Sequence, residues 1–209
     1  EWSRQLEAGY YDHPPGIALL IAAGTRLFGH TSMGVRAGPA MAALLMHVAA
    51  AVCAWQLAGR GLGGLRAATR AAMLVALLPI ATLGLVLATP DAALFASAMF
   101  ALLGVERALA SPVRSWRSVG WWTVAGVGLG AAFLAKYTAV LLPLGLVIAC
   151  VVHPALRKRL AEPGPWIASI IALGMFAPVA GFTAYAPVNT PVFSLLLFRA
   201  IRSCFLVAL

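Results

Sequence analysis

From Gly9 to Gly16 the chain reads GYYDHPPG, which gathers two tyrosines, a carboxylate, an imidazole and a proline pair into one short segment. Consecutive prolines fix φ and push His13 and Pro14 toward extended backbone. Asp12 and His13 are therefore held on stiff chain. Proline suits the first turn of a helix, so Pro15 is read as a helix start with Asp12 and His13 just outside it. Two other polar breaks interrupt apolar sequence, Thr89-Pro90-Asp91 and Lys136-Tyr137-Thr138. Cations at headgroup depth (His13, Arg26, Arg36 and Lys136) suit a phosphate. A carboxylate such as Asp91 suits a general base or a ligand for a hydroxyl. Together they fit transfer of a group from a phosphate-carrying lipid, with Tyr10, Tyr11 and Tyr137 as further substrate contacts. Each group also has a plainer reading. Lys136, Arg26 and Arg36 would serve as interfacial anchors. Asp91 would suit the start of a helix, where the dipole favours a negative charge.

The elements that must position these groups are membrane helices. Of 209 residues, 62% are hydrophobic and 10% charged, against roughly 45–50% and ~25% in ordinary globular domains. The mean hydropathy is +0.93. The net charge of +9 does not mark a nucleic-acid binder. The basic residues form short clusters between apolar runs rather than one patch with interleaved aromatics. Cys53, Cys150 and Cys204 fall in apolar segments without metal-ligand spacing and are read as small buried hydrophobes.

Residues 1–13 read as the end of an extramembrane loop. Residues 15–28 form a helix of about 21 Å, short of the ~30 Å hydrocarbon core. Ile17, Leu20, Ile21, Gly24, Leu27 and Phe28 share one face, with Ala22 and Arg26 opposite. That pattern predicts an interfacial helix lying on the membrane. Spans are expected at 33–58, 71–88 and 92–110, two within 119–152 meeting at Lys136, and one at 163–182. The tail, 183–209, holds one more apolar segment. The fold class is thus all-α, a polytopic bundle of about six or seven spans. Residues 1–30 form the outer loop and juxtamembrane helix, 31–182 the spans and 183–209 a divergent tail. Gln56 and His47 are expected to contact neighbouring helices, and Glu106 to pair with Arg107.

Nine of the fifteen Lys and Arg lie in or beside every second loop: Arg60, Arg66, Arg70, Arg107, Arg114, Arg117, Arg157, Lys158 and Arg159. The positive-inside rule puts those loops in the cytoplasm. Asp12, His13, Arg26, Arg36, Asp91 and Lys136 then share the outer face.

Four blocks carry a family resemblance: GYYDHPPGIALLIAAGTRLFGHTSMGVRAGPA from Gly9, TPDAALFASAMFALL from Thr89, LGAAFLAKYTAVLLPLGLV from Leu129 and PGPW from Pro163. In this order the sequence resembles the dolichyl-phosphate-mannose protein mannosyltransferase superfamily, glycosyltransferase family 39. Within it, the bacterial branch of lipid A aminoarabinose and galacturonic acid transferases is most similar. The resemblance implies a GT-C-like membrane domain with juxtamembrane helices in the first outer loop. It also implies a polyprenyl-phosphate sugar donor and a hydroxyl on a lipid or protein acceptor. The site would face outward from the bacterial cytoplasmic (inner) membrane. His13 falls where relatives place a basic residue near the donor phosphate, and Asp91 matches an acidic position of their active-site region. Asp91 and Asp12 are the catalytic candidates. Partners are the donor, the acceptor and the bilayer, with no nucleic acid. No cofactor is implied, and dependence on a divalent metal stays open. The family's acidic first-loop motif lies upstream of Glu1, and the match fades beyond Pro178. The 209 residues are therefore expected to be a piece of a larger enzyme, incomplete at both ends and inactive alone. A transporter or flippase for a lipid-linked or anionic solute is the alternative; internal repeats and broken helices at midplane would favour it.

Overall fold

The computed structural model describes residues 2–10, 13–79 and 87–185. Among them all regular structure is helical. The α-helices are α1 (Gly16–Phe28), α2 (Ser32–Leu57), α3 (Leu62–Leu77), α4 (Pro90–Leu109), α5 (Trp116–Ala135), α6 (Leu141–Val152), α7 (Pro154–Arg159) and α8 (Pro163–Tyr185). Two 3-10 turns, Trp2–Arg4 and Tyr137–Val140, complete the set. The starts follow local chemistry. Thr31 Oγ1 accepts the Gly34 N–H at 3.1 Å and Ser115 Oγ accepts the Ser118 N–H at 3.1 Å, each relieving an orphan donor of a first turn. Pro90 opens α4, where its missing N–H costs nothing.

Among the described residues four helices are long and apolar enough to cross a membrane: Ser32–Leu57, Pro90–Leu109, Trp116–Ala135 and Pro163–Phe182. Twenty residues at ~1.5 Å each match the ~30 Å core. The chain is a multi-pass membrane helix bundle. The helix expected from residue 71 starts earlier, and the stretch after Lys136 is short. α3 begins at Leu62, so Arg66 and Arg70 ride on a helix rather than in a loop. Its early start follows from Gly64, which lets the helix close on Trp55 of α2; a Cβ there would meet the indole at 2.6 Å. Residues 80–86 lie outside the described set. After Lys136 a 3-10 turn and α6 make one short apolar stretch, Tyr137–Val152. The tail expected at 183–209 falls outside the described residues from 186 on.

Small residues set the packing. A Cβ on Gly104 would lie 2.5 Å from the Ala125 nitrogen, and one on Gly128 2.6 Å from the Ala101 nitrogen, so α4 and α5 form a close antiparallel hairpin. Gly126 meets Ala168 and Gly130 meets Met175, which sets α8 parallel to α5. Leu20, Val75, Phe95 and Met99 close around Ala42, Met46 and Ala96, joining α2 to α4. Such backbone approach is the usual driver of association where lipid removes the hydrophobic incentive.

The face expected for α1 is corrected. Its buried residues are Ile17, Ala18, Ala22, Gly24 and Thr25, while Leu27 is 77% exposed. The reason is close contact with α2. Gly24 abuts the Gly34 carbonyl, and Gly38 abuts Leu20. The small face therefore packs inward and the large apolar residues turn outward. Two other readings change as well. His47 bonds within its own helix, to the Ala43 carbonyl at 2.7 Å. Arg107 reaches Gln56 and stacks over Trp121 at 5.1 Å, whereas Glu106 Oε2 is buried with no hydrogen-bond partner among the described residues. Gln56 does make the expected interhelical contact. Cys53 and Cys150 are buried thiols, and Cys204 lies outside the described residues.

Candidate functional site

Antiparallel pairing brings the start of α4 beside the end of α5. Asp91 sits in the first turn of α4, and Lys136 is the first residue after α5. Lys136 has extended backbone, φ −159° and ψ 140°, which aims the chain out of the helix before the 3-10 turn. Its Nζ donates to Asp91 Oδ1 at 2.7 Å. This is the short distance of a charge-assisted bond. The side chains remain 34% and 28% exposed, so the pair is open to a ligand.

The GYYDHPPG segment arrives at the same end through its two outer glycines. A Cβ at Gly9 would lie 2.8 Å from the Phe182 ring of α8. One at Gly16 would lie 2.6 Å from the Leu134 carbonyl and 2.8 Å from the Ala135 Cα. Gly16 thus seats the start of α1 one residue from Lys136. Pro14 and Pro15 are buried and His13 is partly so. The Tyr10 N–H donates to the His13 carbonyl at 3.0 Å. The Tyr10 hydroxyl donates to the Gln5 carbonyl at 2.9 Å and accepts the Glu7 N–H at 3.3 Å, so it braces the loop. Tyr11 and Asp12 lie outside the described residues. Tyr137 opens the 3-10 turn after Lys136.

Beside the pair, a cleft of about 840 Å³ runs between α1, α2, α4 and α5. Gly16, Ala93 and Leu134, each within a turn of His13, Asp91 or Lys136, line it. Among the described lining residues Arg36 is the charged one and Ser97 the other polar side chain. Arg26 is exposed on the last turn of α1. The structure therefore joins Asp91 and Lys136 directly, sets the His13–Gly16 backbone beside them, and puts Arg36 on the adjoining cleft. Among the described residues no three His, Cys, Asp or Glu side chains gather as a metal site. Sequence reasoning missed Gly9, Gly16 and Phe182. The glycines flanking the proline segment were the available signal, since a glycine in apolar sequence often marks close backbone approach.

Residues 12–182 match the family model described as dolichyl-phosphate-mannose-protein mannosyltransferase. Over 183 residues the chain is 33% identical to the lipid A galacturonosyltransferase RgtD of Rhizobium johnstonii, covering 86% of this chain and 35% of that protein. The chain thus spans about a third of the length of the curated relative it matches. No solved structure matches.

Proposed function

The chain belongs to the dolichyl-phosphate-mannose-protein mannosyltransferase family, and from that premise we propose that it carries part of the site of a membrane glycosyltransferase. The donor is a polyprenyl-phosphate sugar, and the acceptor is a hydroxyl on a lipid or protein at the outer face of a bacterial inner membrane. The observation that carries this reading is the Lys136–Asp91 contact of 2.7 Å at the edge of an apolar cleft. The isoprenoid chain takes the cleft. Its phosphate lies toward Lys136, whose ammonium spends one N–H on Asp91 and keeps two donors for phosphate oxygens. His13 and Arg36 add to that side. Asp91 is held by Lys136 at a fixed point next to the anomeric carbon. The acceptor oxygen forms its bond to that carbon as the carbon–oxygen bond to phosphate breaks. The electron pair leaves with the phosphate, and a carboxylate, Asp91 or Asp12, accepts the hydroxyl proton.

The name of the relative makes lipid A the first acceptor to try, with galacturonic acid as the first sugar. The test uses membranes carrying the full-length protein and a panel of radiolabelled polyprenyl-phosphate sugars. Transfer to a lipid or protein hydroxyl, lowered at least about tenfold by Asp91→Asn at equal protein level, is expected. Transfer from a nucleotide sugar alone, or movement of intact donor across the membrane without transfer, would overturn it.

A further inference from the structure

A second cleft runs along α6, from Leu141 near the Lys136 end to Arg157 and Trp166 at the opposite end of the bundle. It has a volume of about 790 Å³ and opens between α4, α5, α6 and α8. We propose that this cleft holds an anionic glycerophospholipid, its acyl chains between these helices and its phosphate at Arg157 and Lys158.

The walls are suited to a hydrocarbon chain. Leu102, Val105, Leu129, Leu146 and Ala168 line them. α6 packs chiefly on the 3-10 turn before it and on α7 after it, so it stands off the bundle and leaves the gap. On the cleft side Val147 and Val151 are 59% and 65% exposed, and on the other side Leu144 and Ile148 are 51% and 55% exposed, as expected of a helix with hydrocarbon on both sides. A dry apolar space of this size at membrane depth is not filled by water, which needs polar partners.

Trp122 closes the cleft on the side of α8: it lines the cleft, is 4% exposed, and its Cδ1–Nε1 edge is turned to Gly164, where a Cβ would lie 2.0 Å from Cδ1 and 2.6 Å from Nε1.

Charge decides the headgroup. Arg157 lines the cleft. Its Nε and Nη2 donate to the Cys150 and Val151 carbonyls at 3.4 and 2.7 Å, which fixes the guanidinium at the end of α6 and leaves Nη1 for a phosphate. Lys158 follows it and is exposed. Arg159 is already engaged, with Glu162 at 2.8 Å and the Leu109 carbonyl at 2.7 Å. Trp166 sits at the rim with its indole N–H on the Leu160 carbonyl at 3.0 Å, a membrane-interface position. Basic pockets between helices attract acidic lipid headgroups in this way.

The test is native mass spectrometry of the full-length protein, with phosphatidylglycerol, phosphatidylcholine and polyprenyl phosphate titrated separately. Phosphatidylglycerol should be retained about tenfold better than phosphatidylcholine, the equivalent of ~1.4 kcal/mol. Arg157→Gln with Lys158→Gln should abolish that preference. Leu146→Trp, which fills the cleft and leaves the cations in place, should expel the lipid, so the proposal stays testable if the charge variant folds poorly. Equal retention of the two phospholipids, tighter retention of polyprenyl phosphate, or a cleft covered by another part of the protein so that no lipid exchanges, would each overturn it.

Discussion

Asp91 and Lys136 each stand out in the sequence as polar breaks in apolar runs. Their contact does not, because 45 residues separate them and only the α4–α5 hairpin brings them together. Magnitude separates a structural pair from a functional one. A pair with side chains 34% and 28% exposed stabilises a fold by ~1 kcal/mol at most. Asp91→Asn also keeps the size of the side chain at a helix start. Thermal stability should therefore change little, while sugar transfer falls at least about tenfold, within the range for a positioned acid–base group. An Asn variant with wild-type turnover would return Asp91 to a helix-start role. Lys136→Met should act on the donor instead, raising its Kd about tenfold or more, in line with losing a hydrogen bond to a charged group. His13→Ala should weaken donor binding on the same scale, and His13→Lys should weaken it less. Equilibrium binding of a labelled polyprenyl-phosphate sugar to purified protein separates these cases, and unchanged affinity in both His13 variants removes histidine from the phosphate site.

Helices were easier to read than their faces. The breaks at Pro15, Pro90, Lys136 and Pro163 mark element starts or ends because proline and loop-forming residues act locally. The inward face of α1 was misread because amphipathic reasoning favours large apolar residues. In this bundle glycine and alanine contacts win, and the large residues face outward. That difference makes Gly16 a sharp probe. Gly16→Ala would set a methyl 2.6 Å from the Leu134 carbonyl and 2.8 Å from the Ala135 Cα, both backbone atoms that cannot step aside. Overpacking of this kind costs ~1–3 kcal/mol. The strain falls one residue from Lys136, so donor affinity should drop together with the melting temperature. Gly120→Ala is the control: it lies on α5 with nothing within 4 Å of a new Cβ. It should leave binding unchanged and raise stability by up to ~1 kcal/mol. Equal melting temperatures for the two variants would mean that the start of α1 is not seated against α5.

At the scale of the whole molecule the two ends of the bundle differ in charge, and that asymmetry was legible because the positive-inside rule needs only counts along the chain. Arg107 and Gln56, Arg159 with the Leu109 and Ser111 carbonyls, and Arg60 over Trp55 at 5.8 Å all lie at the end where α2 and α4 finish and α5 and α8 begin. Asp91, Lys136 and His13 lie at the other. Less legible was the number of crossings, since apolar runs such as Tyr137–Val152 give no measure of how a helix leans on its neighbours. The polarity yields a topology test. His30 and Val113 are both exposed, and each lies near but outside a capping residue, Thr31 or Ser115. His30→Cys and Val113→Cys, in a background with Cys53, Cys150 and Cys204 replaced, can therefore be labelled without removing a cap worth ~1 kcal/mol. Because α2 and α4 run parallel, His30 reports the Asp91 end. A membrane-impermeant maleimide should modify the His30→Cys protein from outside the cytoplasmic membrane. It should reach the Val113→Cys protein only after lysis. The reverse pattern would put the Asp91–Lys136 pair in the cytoplasm beside soluble nucleotide sugars and would remove the reason to invoke a lipid-linked donor.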